Sequence, residues 1–592
     1  MGHKQNFGLQ RNVSAVNATA EKRFFSLARH SLQAQRDMAE STSPKGRGWR
    51  FWAIMTSMAV SSLLAGLDAT AVSTAMPSII NDLGASQGYV WIANAYLLTT
   101  AAFTPIFGQT ANIFGRNALT IFAIVTFAVG SAIAGPAPTL GALVVGRAVQ
   151  GIGCAGLNTM VEMVVCDLVP LRERGKFMGF IFGIYAVSTT VGPLVGGAFA
   201  SYVTWRWIFY INLPLAAVTL GMVIVSLGAL PKGATMSLGS IKRVDFAGNT
   251  LLVAAITSIL LALTWGGSQY PWSSWRTIVP LVLGLVGLPL FLLFETRVPE
   301  PTTPLRLFAN RTSFAGLWLA FTHNMLVFWI LFVLPVYFQA VLRASAFTSG
   351  VDILPTAAVF APFTIISGGV MTKLGRYRPL LIVGFAFFPL AIGLFTRLDA
   401  ATTTGYWAGI QVLAAVGIGI VTPVTLPTIL TPLPESDVAT ATATWAFMRG
   451  FGTIWGAAIP LAVFNTRAES LVAARLRDNE AARALLADGG AYTLAAGGSL
   501  YAALGLDDDP RLAAVVKGIY SDSLKLCWQV GLAFALFGFL LTFLAKEIPM
   551  RTELETEFGL AEAAAEKNGQ EEAAKAVVEA AAAKPSPAAP TA

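Results

Sequence analysis

Apolar residues run along this chain in long uninterrupted stretches, with neither the alternation of a half-buried strand nor the one-sided stripe of a surface helix. A stretch of about 18 residues or more can cross a bilayer core of about 30 Å as a helix. Fourteen such stretches occur, at roughly 51–76, 89–110, 118–135, 139–166, 176–200, 206–230, 245–265, 277–295, 313–340, 349–372, 379–396, 405–430, 438–463 and 524–545. The pattern predicts an all-α polytopic membrane protein with fourteen transmembrane helices. Polar residues collect in the short connections, in one long interval at 464–523, and in two tails, 1–50 and 546–592.

Hydrophobic residues make up 55% of the chain and charged residues 12%, about half the roughly 25% charge of a globular protein. The net charge of +8 would suit a polyanionic partner, but its distribution points to topology instead. With the first residues in the cytosol, the short inner connections hold 13 Lys/Arg and the short outer ones 4, which is the positive-inside asymmetry. Both termini are then cytosolic, the 464–523 interval is extracytosolic, and no nucleic acid is expected as a partner. The sequons at 12–14, 17–19 and 310–312 fall on the cytosolic side and would stay unused. Residues 1–50 hold nine Lys/Arg and no apolar core of a cleavable signal, so the first span is expected to act as its own insertion signal. Cys154, Cys166 and Cys527 imply no disulfide framework. No metal-ligand cluster, nucleophile–base set or phosphate-binding loop is visible. Neither an enzymatic activity nor a cofactor or metal is expected.

Three motifs recur in order along the chain. "GQTANIFGR", with Gly108, Asn112, Gly115 and Arg116, has a counterpart in "GGVMTKLGR", with Gly368, Gly375 and Arg376. "AVQGIG" (148–153) matches "AAVGIG" (414–419), and "GPLVGG" (192–197) matches "GTIWGA" (452–457). The offsets of 260, 266 and 260 describe two six-helix bundles, 51–230 and 313–545, with two extra helices in the linker 231–312. Duplicated halves are the architecture of many secondary transporters, whose substrate site lies near the midplane between them.

As a set, the motifs resemble the major facilitator superfamily, and within it the fourteen-helix drug:proton antiporter family. "LDATAVSTAMP" (67–77) is similar to that family's helix 1 signature and "GQTANIFGR" to its loop motif. "GRAVQGIG" (146–153) is similar to its helix 4 motif, and "GPLVGG" to the antiporter motif of helix 5. "DLVPLRERGK" (167–176), "WRWIFYINLP" (205–214) and "VYFQAVLRASAFTSGVDILP" (336–355) look like fungal members. The resemblance covers about 50–545. It implies the major facilitator fold and proton-coupled efflux of an amphipathic drug, toxin or secondary metabolite by a monomer. The plasma membrane is the expected location and the vacuolar membrane the alternative. An importer or vacuolar carrier of siderophores or amino acids is the runner-up, and a non-transporting membrane sensor ranks lower. Family members usually carry aspartate where this chain has Asn112, so the resemblance leaves the full ionic latch of that loop in doubt. Glu162 and Asp167 are the nearby substitutes, and Asn112 itself can cap the next helix or accept a hydrogen bond.

The sharpest candidate site is an acid in a greasy helix. Asp68 has no opposite charge within several turns, and Arg147 lies inside the fourth span. If the first helix leaves the membrane near Met76 and the fourth enters near Thr139, each residue lies eight positions in, about 12 Å deep. An unpaired charge there costs at least ~2.5 kcal/mol, so a mutual pair is expected. Gln150, one turn from Arg147, is grouped with them as a proton-coupling residue. Two readings stand: a permanent pair that sets helix register, or a carboxylate whose proton affinity is balanced between burial and Arg147.

Gly192, Gly196 and Gly197 would let helices approach closely. Pro193 would free a carbonyl for a neighbouring helix to satisfy. Arg449, inside span 13, could attract an anionic substrate, pair with Glu162 or Asp68, or bind backbone carbonyls. His323 could titrate or simply pack. Tyr96, Trp329, Tyr337 and Trp445 lie deep and could line an apolar cavity. Trp205, Trp207, Trp265, Trp272 and Trp275 read as interface anchors.

Overall fold

A backbone in lipid must satisfy its own N–H and C=O groups within the segment, and the apolar runs fold accordingly as helices. The computed structural model describes residues 48–83, 90–227, 242–266, 270–487, 489–496 and 499–552. The first six helices are α1 (Trp49–Leu83), α2 (Val90–Phe114), α3 (Arg116–Ala134), α4 (Leu140–Leu168), α5 (Leu171–Tyr202) and α6 (Asn212–Leu227). α7 (Phe246–Trp265) and α8 (Trp275–Glu295) follow. The last six are α9 (Arg311–Val336), α10 (Leu354–Leu374), α11 (Arg378–Phe395), α12 (Thr404–Val421), α13 (Val438–Arg475) and α14 (Pro510–Leu541). Residues 1–53 and 54–592 separate as two units. Of the first, only residues 48–53, the opening of α1, are described. Most of both tails lies outside the described residues.

Among the described residues, thirteen helices are long and apolar enough to cross a membrane. α2 is the fourteenth expected span and stands outside that set. Its 25 residues reach about 37 Å at 1.5 Å each, but Asn94, Thr99, Thr100, Thr104, Gln109 and Asn112 dilute its hydropathy. The chain is a multi-pass membrane protein.

Several boundaries differ from expectation. α1 runs past Met76 to Leu83. The twelfth span breaks after Val421 and resumes as a short helix, Thr425–Leu430. The ninth span ends in a π-helical turn, Tyr337–Val341, followed by Arg343 at φ 61°. The 464–523 interval is largely helical rather than a loop. α13 continues to Arg475, Glu480–Leu486, Gly490–Ala496 and Leu500–Leu504 are short helices, and α14 starts at Pro510. Asp509 caps α14 by accepting from the N–H groups of Arg511 and Leu512, a polar start that hydropathy alone does not reveal.

Glycines set the closest helix contacts. On α5, an added Cβ at Gly192 would meet the Leu67 carbonyl at 2.9 Å, and one at Gly196 the Ala71 carbonyl at 2.0 Å, both on α1. On α13, Gly452 and Gly456 face the carbonyls of Phe321 and Met325 on α9 at 2.2 and 2.3 Å. The two groups of six also meet through glycine. Gly108 on α2 faces Ala443 on α13, and Gly368 on α10 faces Gly175 on α5. With backbones this near, dispersion and small polar contacts replace the hydrophobic effect that lipid removes.

Candidate functional site

Asp68 is wholly buried on α1, and Arg147 on α4 is 2% exposed. Arg147 Nη1 donates to Asp68 Oδ2 at 2.7 Å and to Gln150 Oε1 at 2.7 Å, and its Nε donates to the Ile92 carbonyl at 3.2 Å. The other carboxylate oxygen, Oδ1, accepts from Gln150 Nε2 and Asn212 Nδ2, each at 2.7 Å. Ser131 Oγ on α3 accepts from Gln150 at 2.9 Å. The guanidinium also lies 4.1 Å from the ring centre of Tyr96. All these partners belong to α1–α6. The carboxylate thus accepts one charge-assisted bond from a guanidinium and two from side-chain amides, the first the stronger kind. Adding a proton would weaken each of those bonds.

The same helix grips α5. Pro193 has no N–H for the Thr189 carbonyl one turn earlier, and Thr70 Oγ1 of α1 donates to that carbonyl at 3.0 Å. Thr74 Oγ1 donates to the Pro193 carbonyl at 2.9 Å. Thr70 and Thr74 stand within two turns of Asp68, so the acid and the contacts to the Pro193 turn of α5 share one segment of α1. Gly197 differs from its neighbours. An added Cβ there meets only Thr74, at 3.9 Å, so close approach does not require this glycine.

Contacts between α1–α6 and α9–α14 cluster from mid-depth toward the end that carries Arg116 and Arg174. Arg449 Nη1 reaches Glu162 Oε1 at 2.5 Å, and its guanidinium lies 4.8 Å from the Phe182 ring and 4.4 Å from the Trp445 ring. Of the alternatives open for Arg449, this conformation takes the pair with Glu162. Arg174 Nη2 meets Glu435 at 2.7 Å, and Thr442 Oγ1 contacts Cys166 Sγ at 3.8 Å. Asn112 donates to Thr440 Oγ1 at 3.3 Å and accepts from Arg116 at 3.0 Å. It does not cap α3, whose N-cap is Gly115 at φ 86°, a value that favours glycine. Arg116 Nε finds its charge partner in Asp167, at 2.9 Å. At the matching turn Gly375 has φ 64° and Arg376 is exposed.

His323 and two of the proposed cavity aromatics, Trp329 and Tyr337, make packing contacts within the second group of six helices. The His323 ring is buried beside Phe385 and Phe388, with Nε2 3.3 Å from the Ile418 carbonyl. Trp329 packs on Gly531 and Phe534 of α14. Tyr337 donates to the Asp399 carbonyl at 2.9 Å. Each serves the packing of α9–α14. Tyr96 is buried under Arg147 and donates to Cys154 Sγ at 2.9 Å. Trp445 sits at the contact with α5, its ring 6.0 Å from Phe182. Trp205 is no interface anchor: it is 3% exposed, and its Nε1 donates to Asp82 at 3.0 Å.

Sequence reasoning passed over Asn212, Ser131, Arg174, Glu435 and the Arg306–Asp437 pair, whose shortest contact is 2.7 Å. Asn212 was findable as a polar residue within "WRWIFYINLP". Glu435 lies in a connection, where no rule singles out its partner.

A profile of the Major Facilitator Superfamily matches residues 58–457. The Acurin A biosynthesis cluster MFS-type transporter of Aspergillus aculeatus is 47% identical over 522 residues, covering 88% of this chain and 94% of that protein. Efflux pump FUS6 of Gibberella fujikuroi is 48% identical over 525 residues, covering 88% and 93%. Among solved structures, the human organic anion transporter MFSD10 (TETRAN) superposes with a TM-score of 0.55 at 14% identity, over 84% of this chain and 100% of that one. That likeness speaks to fold alone. The family profile and the curated relatives lead to one conclusion: the chain belongs to the Major Facilitator Superfamily.

Proposed function

We propose that this protein exports an amphipathic organic molecule in exchange for protons, with α1–α6 and α9–α14 moving as two six-helix bundles around the inserted pair α7–α8. The observation that carries the reading is Asp68, buried at mid-span and bound by Arg147, Gln150 and Asn212. Protonation removes the charge that holds Arg147 and loosens α1 from α4. Through Thr70 and Thr74, α1 then shifts the part of α5 around Pro193. α5 in turn meets α10 at Gly175 and Gly368, so a proton at Asp68 bears on the contact between the bundles.

The clustered contacts at one end describe a transporter closed on that side. The positive-inside count supports the cytosol for that end and for both termini, and the plasma membrane is the proposed host. Export direction is supported by relatives named as efflux pumps. One proton suffices energetically. About 2.3 kcal/mol per 100 mV and about 1.4 per pH unit give roughly 3.7 kcal/mol, a several-hundredfold substrate gradient. The test is transport of a fluorescent amphipathic dye in proteoliposomes under an imposed pH gradient. Counterflow of protons and dye supports the proposal. Dye movement that ignores the gradient, or that carries protons in the same direction, refutes it.

A further inference from the structure

The inserted helices hold a pair of acids that the transport reading does not use. Asp245 caps the N-terminus of α7, its Oδ1 accepting from the Gly248 N–H at 2.9 Å. Glu295 ends α8, its Oε2 accepting from the Thr303 N–H at 3.0 Å. The residues are 8% and 3% exposed. Each keeps one buried oxygen, Asp245 Oδ2 and Glu295 Oε1, without a hydrogen-bond partner. Both orphan oxygens flank Gly248, where an added Cβ would meet them at 2.0 and 2.9 Å. Two ionised carboxylates facing each other in a buried space repel, and an unmet buried acceptor costs about 1–3 kcal/mol.

The surrounding cations do not relieve this. Arg243 Nε and Nη2 are bound to the Glu300 carboxylate at 2.7 and 3.0 Å. Lys242 and Arg297 are exposed. From α2 the cluster receives Gln109, which does not titrate. Gln109 Oε1 accepts from Asn249 Nδ2 at 3.0 Å and from the Asp245 N–H at 3.3 Å, and its Nε2 donates to the Glu300 carbonyl at 2.7 Å.

We propose that Asp245 and Glu295 form a proton-binding site in which one proton bridges Glu295 Oε1 and Asp245 Oδ2, clasping α7 to α8 and both to α2 through Gln109. The helix ends decide which acid carries it. Asp245 lies at a helix N-terminus, its Oδ1 already taken by the Gly248 N–H. Glu295 lies at a C-terminus, where the dipole opposes a charge. A neutral Glu295 donates through Oε1 while its carbonyl oxygen Oε2 accepts from Thr303, and both orphan atoms are satisfied. Gln109 adjoins Gly108, which packs on Ala443 of α13, so the clasp holds the segment of α2 that meets the other bundle. A folded state that keeps this proton while the unfolded chain releases it loses stability as pH rises.

The test is thermal unfolding of the purified full-length protein in nanodiscs across a pH series from acidic to alkaline. Wild type is expected to lose melting temperature toward alkaline pH. Glu295→Gln, whose amide N–H replaces the acid O–H as a permanent donor, is expected to abolish most of that loss and to match wild type at acidic pH. Asp245→Asn gives a second route: its amide donates to an ionised Glu295 and likewise flattens the profile. Wild-type pH dependence retained in both variants overturns the proposal. So does a rise in wild-type melting temperature with added Na⁺ or Ca²⁺ that Glu295→Gln removes, because the acids would then hold a cation.

Discussion

Replacing Asp68 by Asn keeps the shape of the buried cluster and removes its only negative charge. Oδ1 can still accept from Gln150 and Asn212, but the new amide faces Arg147 with a donor where Oδ2 accepted at 2.7 Å. Removing one partner of a buried pair costs about 3–5 kcal/mol. Arg147 retains Gln150 Oε1, the Ile92 carbonyl and the Tyr96 ring face, which places the expected loss near ~3 kcal/mol. Arg147→Gln in the same background removes the stranded cation. A double-mutant cycle should then return a coupling of about 2–3 kcal/mol, within the range for residues in one buried network. Chemical denaturation in mixed micelles measures the stability, and proteoliposome transport under a pH gradient measures function. Asp68→Asn should fold and lose gradient-driven transport, and the double variant should regain stability without regaining transport. Coupling below about 0.5 kcal/mol, the scatter of independent sites, would refute the energetic argument. Undiminished gradient-driven transport by Asp68→Asn would remove this acid from the mechanism.

Other outcomes follow from the same contacts. Gly196→Val forces atoms into the Ala71 carbonyl, within 2.0 Å of an added Cβ, whereas Gly197→Ala meets only Thr74 at 3.9 Å. The first should cost more than the ~1–3 kcal/mol of ordinary overpacking and abolish transport, and the second should leave both unchanged; equal effects in melting and flux assays would contradict the α1–α5 packing. Thr70→Val should cost about 0.6–1.7 kcal/mol, the span measured for membrane hydrogen bonds, and almost nothing in a Pro193→Ala background, where the restored N–H serves Thr189. Additive costs in that cycle would rule out Thr70 as the partner of the freed carbonyl. Arg174→Gln breaks the contact with Glu435 and should open that end of the molecule, raising maleimide labelling of Cys166 about tenfold for each 1.4 kcal/mol lost, measured with Cys154 and Cys527 replaced by Ala. Unchanged labelling would show that the pair does not hold the closure.

Much of this was legible in the order of residues because lipid enforces short-range rules. A segment that must bond its own backbone and expose apolar side chains announces itself by length and hydropathy, and Asp68 and Arg147 stand out because mid-membrane charge needs a partner. The glycines of the repeated motifs were equally visible, since close helix approach demands a missing side chain. Hydropathy missed the Asp509-capped start of α14, where polarity and helix coincide. What only the tertiary structure decided is which distant groups meet. Glu162 rather than Asp68 takes Arg449, Asp167 pairs with Arg116, and His323, Trp329 and Tyr337 pack within α9–α14. Nothing in the order of residues links Asp245 to Glu295; the packing of α7 on α8 sets an oxygen of each beside Gly248. One-dimensional spacing carries depth and periodicity, whereas rotation about each helix axis and the choice of neighbour are set by packing among helices far apart in the chain.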